Sequence, residues 1–139
     1  MSFTLHPNLS TKPFIIDLPL CRVLLENDLF YPWILLVPRR NDISRLMDLE
    51  FSDQLLCLKE LDVAQHILWQ QFELIQINVA AIGNKTPQLH IHVIGRQIND
   101  PAWPGTVWDH PTHQPYTNLE QEQRISTLRN AFTLAFKAI

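Results

Sequence analysis

From Gln88 to Val93 the chain alternates without a break: Gln88, His90 and His92 interleave with Leu89, Ile91 and Val93. Successive side chains of an extended strand point to opposite faces, so residues two apart share one. The stretch "QLHIHVIG" therefore demands a strand with an aliphatic face turned to a core. Its other face carries an amide and two imidazoles, with Ile94 after them. A fold that accommodates this strand is a sheet packed on one side, and the polar face asks for a ligand.

The rest of the chain supplies such a sheet. At 139 residues it is long enough to bury a core without metal or disulfide staples and reads as a single domain over 1–139. Its 46% hydrophobic and 18% charged residues are those of an ordinary globular protein. "CRVLLEND" and "FYPWILLVPRR" read as two strands of an antiparallel hairpin joined at Asn27-Asp28, where β-branched and aromatic residues give way to turn formers. Ser52 is expected to cap a helix running to about Phe72, with Leu55, Leu58, Leu61, Leu68 and Phe72 on one face. "ELIQINVAAIG" follows as a third strand and the histidine stretch as a fourth. Four of the ten prolines fall between 101 and 115, so 101–117 reads as an extended surface segment. Asn118 and Gln121 resemble a capping box at the head of a helix over 118–137, whose core stripe is Ile125, Leu128, Phe132 and Phe136. The expected fold class is α+β: an antiparallel sheet with helices packed on one face.

Composition also narrows function. A net charge of −3 argues against a general nucleic-acid binder, whose footprint is strongly basic. Cys21 and Cys57 lie in apolar segments without CxxC spacing and read as buried free thiols, which suits a reducing compartment. The start "MSFTLHPNLSTKPF" lacks the features of a secretory signal. The apolar run "LFYPWILLVP" is far too short to cross a bilayer. A cytoplasmic protein without membrane partners is the expectation.

Three readings suit the histidine face. It is the outer face of a half-exposed strand, with no further role. Or His90 and His92 present two imidazoles to a metal, although His6, His66, His110 and His113 offer no recognisable spacing for a third ligand. Or one neutral imidazole attacks phosphorus while the second donates to a phosphate oxygen.

"QLHIHVIGR" resembles the signature of the histidine triad superfamily of nucleotide hydrolases and transferases, in which three histidines alternate with hydrophobic residues. The resemblance implies that His90 is the residue nucleotidylated at the α-phosphorus and that His92 donates to a phosphate oxygen. The first triad position is Gln88, a departure. Its backbone carbonyl can still accept the Nδ1 proton of the nucleophile. Its amide can donate a hydrogen bond near the leaving group but is no general acid.

The likeness runs from about Phe14 to Gly105. "NVAAIGNKTPQLHIH" is similar to the segment that precedes the family's triad. Asn78 and Gly83 match by type, while Asn84 and Lys85 stand where Gln and Ser or Thr are usual; these four are implied phosphate binders. In the family's first hairpin an acidic or amide residue holds the ribose hydroxyls, which maps onto Asn27 or Asp28, though turn chemistry explains both as well. Trp33 occupies a position where the family usually has histidine, a second departure. "RQINDPAWPG" resembles the phosphoramidase branch, whose Trp-Pro segment reaches the active site, often across a dimer interface, and makes Trp103 a candidate. The resemblance implies no cofactor, no metal, a small nucleotide substrate and a homodimer. For residues 106–117 no role is favoured among lid, partner contact and connector.

Overall fold

The expected hairpin forms between β2 (Cys21–Leu25) and β3 (Trp33–Pro38), with Cys21 opposite Pro38 and Leu25 opposite Ile34. This is a computed structural model that describes residues 2–137. The strands are joined through residues 26–32, a loop far longer than a tight Asn-Asp turn, and it carries Asn27 and Asp28 to the rim of the sheet. Two further strands, β4 (Gln76–Ala81) and β5 (Ile91–Arg96), pair antiparallel. A short β1 (Phe14–Asp17), unanticipated in the sequence reading, closes one edge. The order is β1-β2-β3-β5-β4, antiparallel at every junction, so β5 is flanked on both sides and β4 is an edge.

Ladder pairing begins at Ile91, and Gln88, Leu89 and His90 form an extended lead-in to β5. The alternation nevertheless holds through it. Leu89, Ile91 and Val93 enter one core with Ile15, Val23, Leu25, Ile34 and Leu36. That core is completed by α2 (Phe51–Gln71) through Cys57, Leu61, Ala64 and Leu68, and by α3 (Asn118–Lys137) through Leu128 and Phe132. The class is thus α+β, with both long helices on one face of the sheet.

Details of the helices depart from expectation. α2 starts at Phe51 after Glu50, so Ser52 lies inside its first turn. Leu55 and Leu58 are 55% and 63% exposed. The buried residues recur as Cys57, Glu60, Leu61, Ala64, Ile67 and Leu68, a stripe set by the sheet, and Leu55 and Leu58 lie beside it. Glu60 is fully buried because its carboxylate accepts the Leu20 and Cys21 backbone N–H groups, both at 2.8 Å. The capping box of α3 sits one residue earlier than expected. The Thr117 hydroxyl accepts the Glu120 N–H at 3.2 Å, and the Glu120 carboxylate accepts the Thr117 N–H at 3.0 Å.

The opposite face of the sheet is covered as well. A second apolar cluster of Leu24, Trp33, Leu35, Val37 and Ile94 packs against Leu9 of α1 (Pro7–Ser10), Tyr31 and Val107. The proline-rich segment is therefore not merely surface: it folds over this face and buries Val107 completely.

Gly95, the penultimate residue of the histidine strand, stands where only hydrogen fits. A Cβ there would lie 2.8 Å from Pro32 Cγ and 2.8 Å from Leu74 Cδ2, while the Gly95 N–H donates to the Pro32 carbonyl at 2.7 Å. The proline ring cannot rotate away. Gly95→Ala should therefore cost about 1–3 kcal/mol of overpacking, read as a lower urea midpoint; an unchanged midpoint would show that Pro32 and Leu74 have room to retreat.

Candidate active site

His92 sits opposite Leu35 on β3 and Ala80 on β4, on the face away from the long helices. His90 precedes it on the same side, and the two imidazole centroids are 5.2 Å apart with their planes at 72°. Both are nearly buried, at 7% and 8% exposure, yet both line a cleft of about 370 Å³. Its walls come from distant parts of the chain: Asn8, Leu9 and Lys12; Glu26, Asn27 and Asp28; Trp33 and Leu35; Thr86; Trp108 and His113.

The partners of the two rings fix their tautomers. His90 Nδ1 lies 2.7 Å from the Gln88 carbonyl oxygen. A carbonyl only accepts, so Nδ1 carries the proton and the Nε2 of the neutral ring is bare. His92 is the reverse. The Trp33 indole Nε1–H donates to His92 Nδ1 at 2.9 Å. Indole only donates, so Nδ1 is bare and the proton of neutral His92 is on Nε2. A bare Nε2 and a protonated Nε2 thus stand side by side, one suited to attack and one to donate.

His92 also stays neutral. Burial, then the neighbouring His90 and Lys12, push its pKa down to about 4. The rings of Trp33 and Trp108 enclose it, at centroid distances of 5.7 and 5.0 Å.

Gln88 keeps the carbonyl role but not the leaving-group role expected for its side chain. Its Oε1 accepts the His6 N–H at 2.8 Å and its Nε2 donates to the Thr4 carbonyl at 2.9 Å. The amide is a clamp on the N-terminal segment. That segment in turn brings Asn8, which donates to the Thr86 hydroxyl at 2.9 Å, and Lys12, which is ion-paired with Glu26, to the cleft.

The other expected residues divide. Asn27 and Asp28 line the cleft, but they hold protein groups. The Asn27 side chain accepts the Tyr116 N–H at 2.9 Å, and the Asp28 carboxylate accepts from the Phe30 N–H at 3.1 Å and from His113 Nδ1 at 2.6 Å. Gly83 and Asn84 line a neighbouring cleft of about 450 Å³ that shares His90 with the first and includes Arg45. Lys85 is exposed and lines neither. Asn78 and Trp103 lie away from both, around Arg96. The Arg96 guanidinium is 2% exposed, forms two hydrogen bonds with Asp100 at 2.8 and 3.0 Å, and donates to Asn78 Oδ1 at 2.9 Å. It lies 5.5 Å from the centroid of the Trp103 ring. Burial raises the pKa of Asp100, but hydrogen bonds from Arg96 and from the Gln97 N–H hold its carboxyl below the usual range. In this chain the motif's arginine therefore organises structure beside the site.

Sequence reasoning missed Lys12, Glu26, Trp108 and His113. Lys12, Glu26 and His113 sit on irregular backbone and Trp108 in a single 3-10 turn (Val107–Asp109), where no periodicity exists to assign a facing direction. Among the described residues no three His, Cys, Asp or Glu side chains form a metal-holding group, and no helix is long and apolar enough to cross a membrane.

The His92 environment has a pH signature. The unfolded chain takes up a proton near the ordinary value of 6.5, the folded one only near 4. Between those values the unfolded state binds more protons, so folded stability falls as pH drops through the window. The loss approaches about 3 kcal/mol, and His92→Gln should remove that part of the slope in denaturation at pH 7 and pH 4.5. Trp33→Phe should leave Nδ1 without its donor, at a cost of about 1–3 kcal/mol, and release the tautomer; ¹⁵N shifts of His92 that keep a pure Nε2–H pattern would refute the lock.

The family model described as HIT domain matches residues 9–99. A histidine triad protein from Bradyrhizobium japonicum is 37% identical, with a TM-score of 0.90, over 94% of this chain and 98% of that one. A histidine triad protein from Marinobacter aquaeolei is also 37% identical at a TM-score of 0.90, over 94% and 96% of the two chains. A histidine triad protein from Sinorhizobium meliloti is 35% identical at 0.89, over 93% and 96%. No curated protein matches the sequence. With the paired imidazoles, the five-stranded antiparallel sheet and these likenesses in agreement, the chain belongs to the HIT, or histidine triad, family.

Proposed function

We propose that this protein is a nucleotide hydrolase or nucleotidyl transferase acting on the α-phosphate of dinucleoside polyphosphates or nucleoside phosphoramidates. One observation carries the reading: His90 and His92 hold opposite tautomers on one face. The bare Nε2 of His90 attacks the α-phosphorus, forming a P–N bond as the leaving group departs. His92 donates its Nε2–H to a non-bridging oxygen as negative charge builds there, and its buried neutrality keeps that donor present throughout the neutral range. Water then displaces His90 and releases a nucleoside monophosphate. No step uses a metal or cofactor.

The neighbouring cleft, with Gly83, Asn84 and Arg45, suits phosphate on the far side of His90. A homodimer is part of the reading. β4 is an unpaired sheet edge, and Val79 on it, with Phe51, Leu55 and Leu58 of α2, is apolar and exposed.

A second reading has its own support. The Gln88 amide is engaged by the N-terminal segment at both ends, so no group at the first triad position aids the leaving group. That favours a nucleotide-binding module with weak turnover.

Incubation with diadenosine tetraphosphate, diadenosine triphosphate or an adenosine phosphoramidate, in EDTA, should release AMP. His90→Ala should lower the rate at least ~10³-fold, and quenched wild-type samples should carry an acid-labile nucleotidyl group on His90 by mass spectrometry. Binding of AMP without product or adduct from any of the three would select the binding module.

A further inference from the structure

If the first triad position offers no acid, the reaction needs one from elsewhere, and the cleft holds a candidate. We propose that His113, oriented by Asp28, is the acid–base catalyst that serves the leaving group and the hydrolytic water. This rests on the reading of His90 as nucleophile and names a residue beyond it.

The Asp28 side chain is 3% exposed while that of His113 is 45% exposed. One carboxylate oxygen of Asp28 is fixed by the Phe30 N–H at 3.1 Å, and the other accepts from His113 Nδ1 at 2.6 Å. A buried carboxylate held by its own loop thus orients a half-exposed imidazole. This is the orienting arrangement that acid–base histidines require. Since the carboxylate takes Nδ1–H, His113 exchanges protons through Nε2, which has no protein partner among the described residues. Two further ties set the loop on either side of the ring: the Leu29 N–H donates to the Gln114 carbonyl at 2.6 Å, and the Tyr116 N–H to Asn27 at 2.9 Å. A ring needed only for packing would not require a buried acidic partner.

The alternatives in the cleft are engaged. His92 has its Nδ1 on Trp33, and its Nε2–H is the phosphate donor. Lys12 is paired with Glu26. His90 is the nucleophile. Those groups, with Asp28, are the titratable side chains that line the cleft with His113.

The proton balance closes. As His90 Nε2 bonds to phosphorus, the bond from phosphorus to the leaving nitrogen breaks. His113, doubly protonated, gives its Nε2 proton to that nitrogen, which departs as neutral amine. Water then attacks phosphorus, the P–N bond to His90 breaks, and His113 Nε2 takes the proton that the water loses. Both rings return to their starting states.

The test compares two substrates of one nucleoside. An alkyl phosphoramidate has a leaving group that must be protonated; a p-nitrophenyl phosphodiester has one that leaves as an anion. In single turnover, His113→Gln should slow amine release ~100-fold or more. It should leave the first-turnover burst of p-nitrophenolate within about threefold of wild type, and that retained burst also certifies a folded site. Asp28→Asn should slow amine release in the same selective sense. Equal losses on both substrates, a change in KM alone, or no loss would overturn the assignment. Failure of the underlying reading is distinct: wild type itself would then give neither burst nor adduct on His90.

Discussion

The pairing of β5 with a neighbour on each side is the constraint on which the rest depends. With β3 on one side and β4 on the other, its side chains can go only up or down. Alternation then forces Ile91 and Val93 into the helix-covered core and His92 onto the other face. A one-residue slip would exchange those sets. Leu89 extends the constraint back beyond the ladder, because its N–H donates to the Ile43 carbonyl at 2.8 Å while its side chain stays in the same core. The register of the two imidazoles is thus enforced by aliphatic burial.

Onto that fixed face the chain has built an asymmetric pair. Two chemically identical side chains are set apart by what touches Nδ1: a carbonyl for His90 and an indole for His92. An acceptor and a donor in equivalent places give opposite protonation at Nε2, with no change of charge on either ring. Trp33, a departure from the family's usual histidine, is therefore a working part of the arrangement. A buried indole N–H needs an acceptor, and a buried imidazole needs its tautomer held; each satisfies the other.

How much of this was legible follows from where regular backbone ends. Four of the five strands, both long helices and the face assignment of His90 and His92 could be read, because periodicity survives in regular structure; the carbonyl role of Gln88 came from the family resemblance. Leu55 and Leu58 misled because helical spacing defines stripes without saying which one meets the sheet, and the stripe through Cys57 and Leu61 won. Gln88 misled in its side chain, since nothing local discloses that Thr4 and His6 cross it. Trp103 followed the family pattern; within one chain it stands beside the Arg96–Asp100 pair, and its expected role across a dimer interface belongs to the proposed homodimer. Residues 106–117 stayed silent because their placement is set by distant contacts, Val107 and Trp108 against the sheet and His113, Gln114 and Tyr116 against the β2–β3 loop, which no local pattern encodes.

Those long-range ties bear on how the molecule comes together. Trp33 and His92 are 59 residues apart in sequence, Gln88 and Thr4 84, and Asp28 and His113 85. The hairpins β2–β3 and β4–β5 are comparatively local and can form early, whereas contacts that close long loops come at a greater entropic cost and tend to form late. The polar contacts that bring Trp33, the N-terminal segment and His113 to the cleft are of the second kind. A partly folded chain could therefore hold much of its sheet and both long helices while lacking the assembled cleft. For this protein, the assembled cleft is a more demanding gauge of complete folding than any spectroscopic measure of secondary structure.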